Sequence, residues 1–142
     1  MFRLLKIRLR SEQEIRDKLE NKEFPTDVIR DTIAYLKEYG FIDDRQFTQI
    51  WITSRLKRPF GVNRIRYELV QKGIDKDLLD EELLKAAQNK DYAEIDIIKD
   101  LAQRRARQYK NIDHIKKRQR LFGFLSRRGF SSSAITKALK EL

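Results

Sequence analysis

One pattern of apolar and polar positions occurs three times along the chain, at intervals of 50 and 56 residues. The middle copy runs from Ile65 to Ile74 and is a short amphipathic helix closed by a basic residue, a glycine and an apolar residue. Its apolar positions Ile65 and Leu69 match Ile15 and Leu19 in the first copy and Leu121 and Leu125 in the third. Self-similarity of this kind predicts a repeat architecture, in which neighbouring helical units bury a shared core.

A second helix follows the stop in every copy, because Ile29 and Ile33 correspond to Leu79 and Leu83 and then to Ile135 and Leu139. Apolar spacing and turn signals predict helices at about residues 12–22, 25–39, 43–58, 61–72, 75–89, 91–109, 114–128 and 131–141. Residues 2–9 fit a helix or a strand equally well. We therefore predict an all-α protein of three tandem three-helix repeats (1–42, 43–90 and 91–142, the first short at its N-terminus) in an elongated, curved array.

Local signals define where these helices begin and end. Ser11 and Glu14 form a capping box, in which each side chain satisfies the backbone amide of the other residue. The other predicted N-caps are Asp43, Asp75, Asp91 and Ser131, and the predicted stops are Gly40, Gly73 and Asn89. The predicted buried stripes are Val28, Ile29, Thr32, Ile33 and Leu36 in the second helix, and Phe47, Ile50, Trp51 and Ser54 in the third.

The composition restricts the class of protein. The 142 residues contain no cysteine, which excludes disulfides and thiolate metal sites and fits a reducing compartment. No apolar run approaches the roughly 20 residues of a membrane span, and arginine and lysine interrupt the first ten residues, so no signal peptide is predicted. We expect a monomer in the cytoplasm that does not bind membranes.

The formal net charge is +10, which favours an acidic partner such as nucleic acid or a nucleoprotein. The sign of the charge alternates in step with the repeat. The net charges are +4 for residues 1–10, −5 for 11–44, +6 for 45–74, −5 for 75–100 and +10 for 101–142. Chance combined with the need for solubility is the alternative explanation.

Basic residues concentrate in three groups, which we interpret as candidate contacts with nucleic acid or with a nucleoprotein filament. The groups are Arg55, Lys57, Arg58, Arg64 and Arg66; Arg104, Arg105, Arg107 and Lys110; and Lys116, Lys117, Arg118, Arg120, Arg127 and Arg128. Stacked repeats could align these groups along one edge. Cations also stabilise helix C-termini through the helix dipole, which explains some of these residues but not their density between 104 and 128.

Candidate catalytic and ligand sites have simpler explanations. Asp43 and Asp44 open a helix, where carboxylates cap amides. His114 is the only histidine and has no partner for a triad or a metal site. Gly61 stands alone, so no glycine-rich phosphate loop is present. We predict no catalytic, cofactor-binding or metal-binding residues, and a protein that is not an enzyme.

A helix-turn-helix that reads bases is also disfavoured. Its recognition helix would be the second of each repeat, which carries several acids in the first two repeats. Only the helix from Ser131, with Lys137 and Lys140, suits a duplex. Three aromatic residues, Phe47, Trp51 and Tyr67, could stack on bases, but their helical spacing favours the core.

Taken together, these residues resemble the RecX family over nearly the whole chain. The resemblance rests on Arg10-Ser11-Glu12, Glu14-Ile15-Arg16, Lys18-Leu19, Tyr39-Gly40-Phe41-Ile42-Asp43-Asp44, Phe47, Trp51, Arg55, Gly61, Ile65, Leu69 and Lys72-Gly73-Ile74. Two positions depart from the repeat. Glu23 occupies the place of a glycine, at a cost of about 1 kcal/mol if its backbone is left-handed, and Lys90 stands near the place of Gly40, with Asn89 as its substitute.

The resemblance implies a non-enzymatic regulator that binds the filament of RecA recombinase on DNA and modulates strand exchange and ATP hydrolysis, usually by inhibition, with stimulation as the open alternative. It implies RecA as the partner, weak binding of single- or double-stranded DNA through the basic groups, and no cofactor. Two alternatives remain open. One is a stand-alone nucleic-acid-binding module without preference for the filament, and the other is a helical adaptor for another protein.

Overall fold

The computed structural model describes residues 8–88 and 94–142, and this part of the chain contains eight α-helices and no strand. The helices are α1 (Glu12–Asn21), α2 (Thr26–Glu38), α3 (Asp44–Leu56), α4 (Val62–Gln71), α5 (Lys76–Ala87), α6 (Glu94–Ala106), α7 (His114–Arg127) and α8 (Ser132–Lys140). The predicted all-helical class is confirmed. None of these helices has the length and apolar character needed to cross a membrane. The predictions for residues 2–7, Asn89, Lys90 and Asp91 lie outside the described residues.

Most helix starts follow the predicted capping chemistry. Ser11 Oγ accepts a hydrogen bond from the Glu14 amide at 3.2 Å, and the Glu14 carboxylate accepts one from the Ser11 amide at 3.3 Å. Asp43 accepts hydrogen bonds from the amides of Arg45 and Gln46, at 3.0 and 3.2 Å. The predicted caps Asp75 and Ser131, and also Asp113, which was not predicted, cap later helices in the same way. These side chains satisfy first-turn amides that have no partner within their own helix.

Two compact units divide the described chain. The first unit contains the described residues up to Trp51 together with Glu68–Glu82, and the second contains Ile52–Tyr67 and the described residues from Leu83 onwards. The boundaries between the two units therefore fall inside α3, α4 and α5. The repeat boundaries at residues 42 and 90 stay a prediction.

Each unit has its own buried core. The core of the first unit includes Ile15, Leu19, Ile29, Ile33, Leu36 and Ile42. The core of the second unit includes Ile98, Ala102, Leu121, Leu125, Phe130, Ala134, Ile135, Ala138 and Leu139. Apolar positions predicted from the repeat therefore supply much of both cores, as expected for helices that bury one stripe each.

The buried faces of two helices differ from the prediction. Val28 in α2 is 42% exposed, whereas Thr32 is half-buried. In α3 the buried residues are Phe47, Thr48 and Ile52; Ile50 is 49% exposed, and Ser54 is also exposed. Successive helical residues are rotated by about 100°, so Ile50 and Thr48 lie on different sides of α3. The predicted buried face, which included Ile50, therefore differs from the observed buried face, which includes Thr48. The prediction failed because it assigned the apolar Ile50 to the core, whereas the fully buried residue is the polar Thr48.

Left-handed turns close several of these helices. Gly40 and Gly73 have φ angles of 73° and 77°, and Glu23 adopts the same conformation with φ of 63°. Glu23 confirms that the repeat retains its turn geometry without glycine, at a strain of about 1 kcal/mol.

Candidate nucleic-acid interface

In the second unit, the start of α4 meets the end of α7 through backbone contacts. The Gly61 amide donates to the Arg128 carbonyl at 2.8 Å, and the Asn63 amide donates to the Gly129 carbonyl at 3.0 Å. A Cβ atom on Gly61 would lie 2.3 Å from backbone atoms of Gly129 and Phe130. Both glycines are therefore needed for the two helix ends to approach this closely. The junction places the basic residues around Gly61 beside those that end α7.

The first unit contains an equivalent junction between the end of α4 and the start of α1. Ser11 Oγ donates a hydrogen bond to the Lys72 carbonyl at 2.8 Å, and Ser11 is fully buried. A Cβ atom on Gly73 would lie 2.4 Å from the Gln13 Cβ. The recurring stop of a basic residue and a glycine thus has the same use in both units, because it lets one helix end pack against another helix start.

Arginine side chains from both sides of the Gly61–Gly129 junction surround the Phe60 ring. The guanidinium carbons of Arg64, Arg128 and Arg55 lie 4.1, 5.7 and 5.9 Å from the ring centroid. These distances are typical of cation–π contacts, which prefer arginine. Phe60 therefore joins the first basic group of the sequence to the third.

The contacts continue through two further aromatic rings. Arg105 lies 4.8 Å and Arg128 lies 5.3 Å from the centroid of Phe124, which connects the second group to the third. Arg105 and Arg120 lie 5.9 and 5.8 Å from the centroid of Tyr109. We name this set the arginine–aromatic cluster. Its members are Arg55, Arg64, Arg105, Arg120 and Arg128 with Phe60, Tyr109 and Phe124.

The cluster concentrates positive charge and orients it. Within residues 8–88 and 94–142, neither Arg105 nor Arg120 nor Arg128 forms an ion pair with a carboxylate. A guanidinium stacked on a ring keeps its charge at any physiological pH and can still present donors at its edge, which suits bidentate contacts to phosphate. The arrangement can therefore bind anions with little further loss of side-chain freedom.

Other predicted basic residues line two grooves of the second unit. Lys57, Arg58 and Arg104 line a groove of about 420 Å³ that also contains Asp96 and Asp100. Arg104 pairs with Asp100 at 3.1 Å, so part of the positive charge of this groove is offset. We therefore rank this groove below the cluster as an anion site.

The second groove has an apolar floor and a basic rim. Its volume is about 550 Å³, and Arg107, Lys117 and Arg118 line it together with Leu121 and Leu139. The exposed His114 also lines it, in agreement with a surface position.

Of the other predicted residues, Lys110, Lys116 and Arg127 are exposed and Arg66 is half-buried. All fifteen predicted residues belong to the second unit, but only five of them share the aromatic contacts.

The aromatic members of the cluster were not predicted as site residues, although each lies within or next to a basic run of the sequence. The residues that were considered for stacking behave differently. Phe47 is buried, and the half-buried Trp51 donates from Nε1 to Glu68 at 2.9 Å, so core packing is confirmed for Phe47. Tyr67 is 66% exposed, so its predicted place in the core is wrong. The position lies outside the buried stripe that Ile65 and Leu69 define.

The paired carboxylates of the first unit are structural. Asp43 caps α3, and Asp44 accepts a hydrogen bond from the Glu12 amide at 2.9 Å, at the start of α1. Burial raises the pKa of Asp44. For Glu14, burial acts to raise the pKa, but hydrogen bonds from Arg8 and from the Ser11 amide lower it overall. Among the described residues, no group of acids and histidine could hold a metal ion.

Comparison with known proteins places this fold in a family. Three family models match successive parts of the chain: the first three-helix domain of RecX at residues 1–36, the second at 43–83 and the third at 92–139. The chain belongs to the RecX family. The predicted three three-helix repeats are thereby confirmed, while the curvature of the array stays a prediction.

Several relatives carry the name regulatory protein RecX. The protein of Chlorobium phaeobacteroides (strain BS1) is 38% identical over 142 residues, covering 99% of this chain and 89% of that protein. The proteins of Clostridium beijerinckii and Clostridium acetobutylicum are each 34% identical, covering 99% and 94% of this chain. The chain spans only 65% and 62% of the lengths of those two RecX proteins.

Solved RecX structures have the same fold. A crystal structure of regulatory protein RecX superimposes with a TM-score of 0.87 at 25% identity, covering 99% of this chain and 69% of that one. The RecX structure from Lactobacillus salivarius superimposes with a TM-score of 0.86 at 23% identity, covering 99% and 90% of the two chains.

Proposed function

We propose that this RecX family chain binds the filament that RecA recombinase forms on DNA, and that it inhibits strand exchange and ATP hydrolysis without catalysing a reaction itself. The observation that carries the proposal is the arginine–aromatic cluster, which unites basic residues from three separate stretches of sequence. Membership of a family whose proteins are named as regulators supports a regulatory outcome.

The cluster suits a phosphate backbone better than a single small anion. Its five arginines contact three successive rings, and Arg105 and Arg128 each contact two of them. Several cations held by shared rings can contact several neighbouring phosphates, and phosphate contacts supply most of the affinity in nucleic-acid binding. If all five arginines neutralise phosphates of single-stranded DNA, log K should fall with log salt with a slope of about −3.5.

The uneven charge of the chain supports a nucleoprotein rather than bare DNA as the target. Residues 11–44 carry a net charge of −5, and naked DNA would repel them. A filament offers protein surface for this acidic part and phosphate for the cluster. Phosphates held by the cluster are less accessible to an incoming DNA strand, and this accounts for the proposed inhibition of strand exchange.

A titration of labelled single-stranded DNA, with and without RecA and a slowly hydrolysed ATP analogue, tests the proposal. We expect tighter binding to the filament than to naked DNA, and a lower RecA ATPase rate when the chain is added. The variant Arg105→Gln/Arg128→Gln should bind the filament at least about tenfold more weakly and have a salt slope smaller by about 1.4. Lys22→Gln/Arg30→Gln removes the same charge from the first unit and is the matched control.

The outcomes separate three functions. Equal affinity for naked DNA and for the filament would replace the proposal by a nucleic-acid-binding module without filament preference. Binding that does not depend on DNA at all would indicate a helical adaptor. Equal loss in the cluster variant and in the control would show that net charge, and not the cluster, determines affinity.

A further inference from the structure

An exposed apolar and aromatic stripe runs along α2 in the first unit. Val28, Tyr35 and Tyr39 are 42%, 49% and 62% exposed. Their spacing of seven and four residues places them on one face, with Tyr39 as the C-cap residue directly after α2. The two tyrosine rings lie close together, with centroids 4.7 Å apart. We call these three residues the α2 stripe.

Carboxylates border the α2 stripe on the side away from the core. Asp27, Asp31 and Glu38 are exposed and lie about 80° around the helix axis from the stripe. The two cations of the helix, Arg30 and Lys37, lie on the opposite face by the same geometry. Arg30 approaches Asp31 at 3.4 Å, but both side chains are more than 70% exposed, so this pair neutralises little of the acidic border.

The repeat itself does not require aromatic residues here. In the register that aligns Ile29 with Leu79 and Ile135, the position of Tyr35 is occupied by Lys85 in the second copy and Glu141 in the third. A residue needed for the shared core would remain apolar in all copies. The tyrosine is therefore specific to the first repeat and lies outside its core.

We propose that the α2 stripe and its acidic border form a docking surface for a protein segment rich in lysine and arginine. Tyrosine faces attract cations, and the aliphatic stems of lysine and arginine can pack along Val28 while their charged ends reach the carboxylates. Nucleic acid is the wrong partner, since three exposed carboxylates repel phosphate. This surface lies within the acidic part of the chain that the proposed function assigns to protein contact, but it would recognise any protein that presents such a segment.

The test uses amide chemical shifts of the full-length chain in moderate salt. One probe is a synthetic peptide that alternates lysine or arginine with leucine, and the comparison probes are its glutamate counterpart and a single-stranded oligonucleotide. The cationic peptide should shift residues of α2 in a saturable manner, with Kd on the order of 1 mM or tighter. The glutamate peptide and the oligonucleotide should leave α2 unshifted. The chain carries +10 overall, so binding of a cation at α2 must come from local chemistry.

Variants then assign the binding to the stripe. Tyr35→Ala/Tyr39→Ala should weaken peptide binding at least about fivefold, and Tyr35→Phe/Tyr39→Phe should retain it because the ring faces remain. Tyr67→Ala removes an exposed tyrosine of the second unit and should change nothing. Unaltered affinity in the alanine variant, or peptide shifts outside α2, would overturn the proposal. The peptide titration contains neither RecA nor DNA, so its result stands whether or not the chain binds a filament.

Discussion

Replacing Gly61 with alanine tests whether the junction between α4 and α7 determines the stability of the second unit. The new Cβ would lie 2.3 Å from backbone atoms of Gly129 and Phe130, and ordinary contacts begin at 3.4 Å, so the two helix ends must separate by about 1.1 Å. Backbone atoms cannot rotate away as a side chain would. The hydrogen bonds at 2.8 and 3.0 Å would then lengthen to about 3.9 and 4.1 Å, beyond hydrogen-bond distance.

The energetic consequence can be estimated from these losses. Two backbone hydrogen bonds contribute about 1 kcal/mol each. Separating the helices also weakens the contacts of Arg64 and Arg128 with Phe60, which are worth about 0.5–1 kcal/mol each. Alanine restricts the unfolded chain more than glycine does, which raises the free energy of unfolding by about 0.5–1 kcal/mol. The net loss is about 2–3 kcal/mol, which corresponds to a Tm lower by roughly 6–10 °C.

Thermal and urea unfolding followed by circular dichroism measure this effect. Gly123→Ala is the matched control, because it makes the same substitution inside α7, where the new Cβ would meet only the Nη1 end of Arg127 at 3.3 Å. A helix-interior alanine should raise stability by about 0.5–1 kcal/mol. A Tm for Gly61→Ala within 1 °C of the parent would refute the importance of the close approach. Equal destabilisation by both substitutions would show that the effect is not specific to the junction.

Two further substitutions test local interactions. Ser11→Ala removes a fully buried hydroxyl that accepts from the Glu14 amide and donates to the Lys72 carbonyl. The free energy of unfolding should therefore fall by about 2 kcal/mol. Ser11→Thr keeps a hydroxyl and should retain more of this stability. Glu141→Gln tests a pH dependence, since a hydrogen bond from Lys99 lowers the pKa of Glu141 below 4.5. The stabilisation by the ionised Glu141 carboxylate is present above its ordinary pKa and is lost as the pH falls through its lowered pKa in the folded protein. The urea midpoints of the parent and of Glu141→Gln should therefore differ at pH 7 and converge at about pH 2–3. Parallel midpoints across that range would disprove the contribution of the carboxylate charge.

Predictions that depend on near neighbours in the sequence succeeded. The capping box at Ser11, the cap at Asp43 and the left-handed conformation of Gly40 follow from residues within four positions of one another. Such signals need no knowledge of the rest of the fold.

Predictions that require knowledge of the packing partner were less accurate. Ile50 and Val28 look like core residues, yet both are exposed, while the polar Thr48 is fully buried. The family resemblance predicted three three-helix domains, and the matched family models confirm them. It did not indicate which aromatic residues the arginines would contact.

The amino-acid sequence alone determined that the described chain is helical, where its helices begin and end, and that its positive charge falls into separate groups. These properties depend on backbone hydrogen bonds and side-chain caps that span about one helical turn. Only the tertiary structure decided that Arg55, Arg105 and Arg128 share one arginine–aromatic cluster. Residues so far apart in sequence meet because Gly61 and Gly129 lack side chains, which lets two helix ends approach to hydrogen-bonding distance and brings their charges together.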